Sequence, residues 1–550
     1  MTKGKKTILQ FLGILAALLL VFGIWFSQNW YRMPGIIARW KNPIGENQSI
    51  TWKQGATTRT SDKPNVIVIL VDDLGFNEVS SYGGGMAKGK FKTPNIDQLA
   101  ADGVLCANGY SAHAVCSPSR ASLLTGRYAT RSGFEYTPTS PGMMKFVAGL
   151  SKEKWHPPIY HEELEGQGPE VDDMGLPLSE ITLAELLKPQ GYHTIHLGKW
   201  HLGNSKKYNP VNQGFDESLG LNSGSLFLPV DDPNVVNAKL PFDPIDKFLW
   251  GNLPYAANWN GGPRFQPKGH TTDYLTNEAV KAIEANKNQP FFMYMAYWAV
   301  HTPLQASKED YDKLSYIEDH AERVQAAMVM TVDRGVGKIR QALKDNGIDQ
   351  NTVIVFTSDN GAPGYIGLPD VNKPYRGWKL SLFEGGIHIP YIVHYPSKIP
   401  AGQVYEGRVS NLDIFSTFGA LAGAEMPTDR QIDGVNILPY LTGEKEGEPD
   451  RALYAKISNY SYVLKEGWKL QMDDLQQRKW LFNLNIDPTE QNNLVEQELQ
   501  KVDELTTLLQ TFIAEQKRPI WPALLDSPIY IDKTLKDETT MEDEFIYWPN

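Results

Sequence analysis

The stretch NVIVILVDDLG, residues 65–75, limits what this chain can fold into more than any other. It is a continuous apolar, β-branched run that stops abruptly at two carboxylates. A run without polar alternation suits a strand buried on both faces of a parallel sheet. Further strand candidates are YHTIHLG at 192–198, PFFMYMAYW at 290–298 and TVIVFTSDNG at 352–361. Between them lie the helical patterns TPNIDQLAADG, SEITLAELLKPQG and TDYLTNEAVKAIEAN, and a long one that reads as a single helix from about Asp310 to Asn346. Strands alternating with helices predict an α/β fold, a large mostly parallel or mixed sheet sandwiched by helices.

The texture changes after about residue 430. RALYAKISNYSYVLKEGWKLQM and KWLFNLNIDPTEQNNL contain short strand-like pieces, and EQELQKVDELTTLLQTFIAEQK is helical. This reads as a smaller C-terminal α+β unit, an antiparallel sheet with one packed helix. The last thirty or so residues, rich in Asp, Glu and Pro, read as a surface-wrapping or mobile tail. At the other end, Ile8 to Phe26 carries no charge. A helix of that length spans roughly 28 Å, close to the hydrocarbon thickness of a bilayer. No A-x-A cleavage pattern precedes Trp30 and Tyr31, which suit the membrane interface, so an uncleaved anchor is the better reading than a signal peptide. Lys3, Lys5 and Lys6 are balanced by Arg32, Arg39 and Lys41, so charge alone leaves its orientation open. The expected organisation is an anchor or signal at 1–32, a tether at 33–62, a catalytic domain at 63–430, the α+β subdomain at 431–518 and an acidic tail at 519–550.

A formal net charge of −11 argues against nucleic-acid binding, which needs a basic surface to displace counterions from phosphates. An anionic substrate must therefore meet a local positive site. Two cysteines rule out a disulfide framework, and Cys106, inside GVLCANGY, reads as core. In open parallel sheets ligands bind beyond the carboxyl ends of the strands. Those ends are polar here: Asp72-Asp73, Asp359-Asn360, Lys199-Trp200-His201 and His301. Each acidic pair alone would read as a turn or cap. Together they offer hard oxygen ligands, which favour Ca²⁺ or Mg²⁺ over zinc or copper. Cys116 lies in AVCSPSRASLLTGRY. With Ser117 as N-cap, Pro118 in the first helical position and Arg120 one turn on, the thiol would sit at the mouth of a helix, where it either ionises or helps to hold a substrate oxyanion.

Cys116-Ser117-Pro118-Ser119-Arg120, followed by Thr125-Gly126, resembles the C-x-P-S-R signature of the type I sulfatases. VDDLG at 71–75, GKWHLG at 198–203, HTP at 301–303, SDNG at 358–361 and RGWKLSLFEGGIHIP at 376–390 extend the resemblance over about 65–430. One departure is His388, where that family commonly has arginine. The resemblance implies the fold of the alkaline phosphatase superfamily and a Cys116 oxidised to formylglycine by a separate formylglycine-generating enzyme. The hydrated aldehyde carries two hydroxyls, one to attack sulfur and one to expel sulfate. It further implies that Asp72, Asp73, Asp359, Asn360 and residue 116 hold Ca²⁺, and that Arg120, Lys199 and Lys379 stabilise the sulfate charge. His201 would take a proton from the second hydroxyl and His301 would protonate the departing alcohol. The expected function is hydrolysis of sulfate monoesters, of sulfated carbohydrate or an aryl sulfate, by an exported, membrane-anchored enzyme. The alternatives are a formylglycine-dependent phosphonate or phosphodiester hydrolase and a non-catalytic binder of sulfated glycans. Trp155, His156, Trp250 and Trp259, in the long insertions 134–178 and 204–270, are candidates to stack on substrate rings. His113, His193 and His196 read as structural or pocket residues.

Overall fold

The computed structural model describes residues 3–59, 61–151, 153–221 and 224–550, with side chains from residue 10 onward. The side chains of Lys3, Lys5 and Lys6, and Thr60 of the expected tether, lie outside the described residues. A ten-stranded sheet forms the centre. From edge to edge its strands are Gln403–Ser410, Val104–Tyr110, Tyr391–His394, Thr352–Ser358, Asn65–Val71, Phe291–Ala296, His193–Gly198, Glu217–Gly220, Ala257–Trp259 and Arg264–Phe265. The contiguous block from Thr352–Ser358 to Glu217–Gly220 is parallel. Tyr391–His394 runs against it, which makes the sheet mixed.

The central strand shows why its sequence does not alternate. Ile67, Ile69 and Val71 enter one hydrophobic core, while Val66, Val68 and Leu70 enter the other. The first core is closed by helices Pro94–Ala101, Thr271–Asn286 and His320–Asp345, the second by Cys116–Thr125, Leu183–Leu187 and Asp413–Ala422. Helices therefore cover both faces, as the alternation predicts.

The pattern expected as one helix from Asp310 to Asn346 is two, Lys308–Lys313 and His320–Asp345. Asp319 causes the restart: its carboxylate accepts from Glu322 N at 2.9 Å and caps the second helix.

The smaller sheet is an antiparallel meander of Leu453–Ile457, Tyr460–Lys465, Trp468–Asp473 and Arg478–Asn483. Val463, Leu470 and Leu481 pack on helix Leu499–Ala514 through Val502, Leu505 and Leu509. Tyr460, Tyr462 and Phe482, on its other face, join the second core of the large sheet. Beyond residue 519 the chain folds as an antiparallel pair, Leu525–Tyr530 with Phe545–Pro549, and the first of these also pairs with Ile159–Tyr160. Ile546 and Trp548 are buried, so this segment wraps the surface as strands instead of trailing from it.

Helix Lys3–Asn29 is long and apolar enough to cross a membrane. Tyr31, expected at the membrane interface, is instead buried against the protein, with Lys247 Nζ 4.4 Å from its ring centroid. The expected tether is docked as well. Its helix Met33–Lys41 packs on Asp246–Asn252, Gly45 bridges to Phe265, and buried Trp52 donates from Nε1 to Glu278 Oε2 at 3.0 Å.

Candidate active site

The polar residues that end the parallel strands converge above the middle of the sheet. Asp72 and Asp73 follow Asn65–Val71, Asp359 and Asn360 follow Thr352–Ser358, and Lys199 follows His193–Gly198. The turn at Lys199 depends on Gly198. At φ 103° a Cβ there would lie 1.9 Å from the Ala296 carbonyl oxygen, so no other residue lets the backbone pass. Helix Cys116–Thr125 points its first residue into the same space. It begins at Cys116 with Val115 as the extended cap residue, so Ser117 is not the N-cap and Pro118 is not the first helical residue. The thiol is thereby brought into the first turn of the helix.

Cys116 Sγ lies 3.3 Å from Asp72 Oδ1, 3.7 Å from Asp73 Oδ1 and 3.2 Å from Lys379 Nζ. Three cations surround the three carboxylates. Arg120 Nη2 is 2.7 Å from Asp359 Oδ2 and 3.1 Å from Asp72 Oδ1, Lys199 Nζ is 2.6 Å from Asp72 Oδ2, and Lys379 Nζ is 2.8 Å from Asp73 Oδ2. The side chains of Arg120, Lys199, Asp72 and Asp359 have no exposed surface. Buried charges persist only when paired and hydrogen-bonded, and here each is.

The electrostatics follow from that pairing. Burial works against ionisation of Asp72, but Lys199 and Arg120 outweigh it and hold the carboxyl well below the usual range. Lys379 does the same for Asp73. Asp359 goes the other way, raised by burial and by the neighbouring Asp72. Burial, with Asp359 and Asp72, pushes the Cys116 thiol far up, so it stays protonated. That direction runs against the ionised-thiolate reading for the free site. Burial, with Lys199 and Arg120, keeps His201 neutral, and its Nδ1 is buried without a hydrogen-bond partner. His301 stacks on Trp298 at 4.3 Å, with Nε2 3.6 Å from Asp73 Oδ2 and Nδ1 2.7 Å from the Thr302 carbonyl. Burial and Lys379 bring it down to about 4.

Ligand atoms of Asp72, Asp73, Cys116 and Asp359 all lie within 4.8 Å of one another. Asn360 Nδ2 donates to Asp73 Oδ1 at 2.7 Å, which leaves Asn360 Oδ1 buried and unpartnered. An orphaned amide oxygen beside converging carboxylates fits a hard divalent cation.

Every residue expected at the site is thus gathered into one region. Two contributors are not visible in the sequence. Tyr365 places its hydroxyl 3.1 Å from Asp73 Oδ2 and 3.3 Å from Lys379 Nζ, and the Trp298 ring lies 4.7 Å from Lys199 Nζ. Trp298 closes the apolar run 290–298, a position that signals packing, and Tyr365 sits in a single 3₁₀ turn, Gly364–Ile366, too short to show a periodicity that would mark it.

The four ring candidates each contact neighbouring protein groups, and Trp155 is also half-exposed. Trp155 Nε1 donates to the Thr539 carbonyl, and His156 stacks on Phe545 at 3.8 Å. Trp250 Nε1 donates to Asp246, and Trp259 packs edge-on against Trp52. His193 pairs with Glu217 at 2.7 Å, His196 with Ser218 at 2.8 Å, and His113 packs against Trp548. His388 supports the lysine-bearing loop. Its Nδ1 lies 2.8 Å from Glu384 Oε2 and its Nε2 2.9 Å from the Ala107 carbonyl. Lys469 of the small sheet reaches both Glu384, at 2.7 Å, and Glu490, at 2.9 Å.

Residues 64–424 match the Sulfatase family, and residues 377–518 match the family described as N-sulphoglucosamine sulphohydrolase, C-terminal. Human N-acetylgalactosamine-6-sulfatase is 34% identical over 391 residues, covering 69% of this chain and 66% of that protein. The chain thus spans just under two thirds of that relative's length. Human steryl-sulfatase is 29% identical over 506 residues, covering 80% and 79%. Among solved structures, Ps i-CgsB in complex with k-i-k-neocarrahexaose superposes with a TM-score of 0.68 at 31% identity, covering 84% of this chain and 94% of that one.

Proposed function

Because the chain belongs to the type I sulfatases, sulfuric ester hydrolases of the alkaline phosphatase superfamily, we propose that it hydrolyses sulfate monoesters at the Cys116 cluster. The observation that carries this is the position of side chain 116, wedged between two carboxylates and Lys379 at 3.2–3.7 Å. A formylglycine made from Cys116 would supply a hydrated aldehyde as nucleophile. Asp72, Asp73, Asp359 and Asn360 would hold Ca²⁺, which supplies positive charge to polarise a sulfate oxygen.

The remaining work falls to the chain's own groups. Lys379 and Lys199 flank the carboxylates and attract the ester's sulfate, while Arg120 fixes the carboxylates themselves. His201, held neutral, is ready to accept a proton. His301 is neutral in the free site, and an anionic ester arriving beside it favours its protonated form, from which Nε2 can protonate the departing alcohol. Sulfated carbohydrate is the preferred substrate class, supported by the names of the N-acetylgalactosamine-6-sulfatase relative and the neocarrahexaose complex. We read the chain as a catalytic domain at 63–430 and an α+β subdomain at 431–518, exported and anchored through 1–32, with 33–62 and 519–550 packed on the surface.

The test combines two measurements on protein made together with a formylglycine-generating enzyme. Peptide mass spectrometry across residue 116 should show the thiol replaced by the aldehyde or its hydrate. Turnover of an aryl sulfate should exceed that of an aryl phosphodiester, and Cys116→Ala should lower it by at least about 10³-fold. An unmodified thiol in active enzyme, or a preference for the phosphodiester, would overturn the reading.

A further inference from the structure

Between helix Lys3–Asn29 and the large sheet lies an apolar face with no protein partner among the described residues. Helix Met33–Lys41 follows Lys3–Asn29 after a single turn, Trp30–Arg32. Ile36 is 38% exposed, Ile37 45% and Trp40 81%, and positions 36, 37 and 40 share one side of a helix. The opposite side is fixed. A Cβ on Gly35 would lie 2.8 Å from Asn252 Cα, and Gly35 N donates to Asn252 Oδ1 at 2.6 Å. Asn252 Nδ2 in turn donates to the Tyr31 carbonyl at 2.8 Å, so one asparagine ties down both turns. Trp30 meets Phe146 at 5.2 Å, and Phe146 meets Phe248 at 5.4 Å.

We propose that residues 30–41 form an interfacial elbow. Ile36, Ile37 and Trp40 lie in the headgroup boundary of the bilayer that Lys3–Asn29 crosses, and Asn252 holds the catalytic domain at a fixed angle to it. This rests on the reading of 1–32 as an uncleaved anchor. Lipid is the occupant on two counts. The face continues directly from an apolar helix whose described side chains are exposed, and Arg32, Arg39 and Lys41 stand among its apolar residues, the pattern of an interfacial helix facing anionic headgroups.

The elbow also sets where the catalytic centre lies. Tyr365 stands two residues before Gly367, where a Cβ would meet Phe242 Cζ at 2.6 Å. From Phe242 the chain reaches the clamp helix at Asp246 and ends it at Asn252, a path of at most about 25 Å.

The test uses the full chain in vesicles of phosphatidylcholine and phosphatidylglycerol, with a nitroxide at Trp40→Cys and, as control, at exposed Glu46→Cys. The ratio of oxygen to aqueous-nickel accessibility should be several-fold higher at 40 than at 46. Hydrogen exchange of 33–41 in the unlabelled protein should slow when vesicles are present. Asn252→Ala should mobilise the label while turnover of a soluble aryl sulfate stays unchanged. Equal nickel access at both positions, or no change in mobility with Asn252→Ala, overturns the proposal while the chain remains embedded in alkaline carbonate. Release of the chain by carbonate instead overturns the anchor reading, and the elbow with it.

Discussion

Arg120 illustrates how one side chain sets the cost of the whole site. It has no exposed surface and bridges Asp72 and Asp359, so its removal leaves two buried carboxylates short of a cation. Arg120→Met should therefore destabilise the fold by about 3–5 kcal/mol, as expected for one half of a buried ion pair, besides removing activity. Thermal unfolding of the purified variant checks this, and an unchanged midpoint would mean that the pairing is unimportant. The same residue shows what was readable in advance. The C-x-P-S-R sequence marked Cys116 and Arg120 because it resembles the signature of the type I sulfatases. Tyr365 was hidden because its hydroxyl reaches Asp73 from the isolated 3₁₀ turn Gly364–Ile366, which is too short to show periodicity.

At the scale of elements, four strands of the large sheet, Asn65–Val71, His193–Gly198, Phe291–Ala296 and Thr352–Ser358, were legible because each is buried along its whole length and is largely apolar; the other six, such as the polar and half-exposed Gln403–Ser410, carry no such run. The strands near the C-terminus were not legible either. Leu525–Tyr530 and Phe545–Pro549 mix polar residues and prolines with apolar ones, and they become strands only by pairing with each other and with Ile159–Tyr160. The break before His320 was likewise hidden, since Asp319 reads equally well as an exposed helical acid.

The junction between the small sheet and the Lys379 loop makes a pH-dependent prediction. Burial, opposed by Lys469 and reinforced by Glu384, raises Glu490 from 4.5 to about 7. A carboxyl whose folded pKa is raised contributes stability that is fully present below its unfolded pKa and is lost as pH rises through the folded one. Stability should thus fall between about pH 4.5 and 7, and Glu490→Gln, which cannot ionise, should flatten that part of the profile. Unfolding midpoints of both proteins across that range provide the check. Parallel profiles would show that Glu490 does not titrate there.

For the whole molecule, the second core runs without a break from the large sheet into the small one through Tyr460, Tyr462 and Phe482. The small sheet and the segment after it also grip the Lys379 loop, since Tyr460 Oη accepts from Leu382 N at 3.2 Å and Glu490 Oε2 from Glu384 N at 2.6 Å. A chain ending at residue 430 should therefore neither fold cooperatively nor turn over substrate, because Leu382, Phe383 and Ile387 lose the surface that covers them. Circular dichroism and an aryl sulfate assay would decide it, and a soluble, active truncation would show that the loop supports itself.

The balance of three carboxylates against three cations around residue 116 has one last consequence. With every fixed charge already matched, an anion can enter at low cost only in the company of a divalent ion, and the ion gains from the anion in equal measure. For the calcium site proposed above, thermodynamic reciprocity then requires saturating sulfate to tighten calcium by the same factor that saturating calcium tightens sulfate. Two titrations, each repeated with the other solute present, should return one common ratio well above unity, and a ratio of one would mean that the two ligands ignore each other.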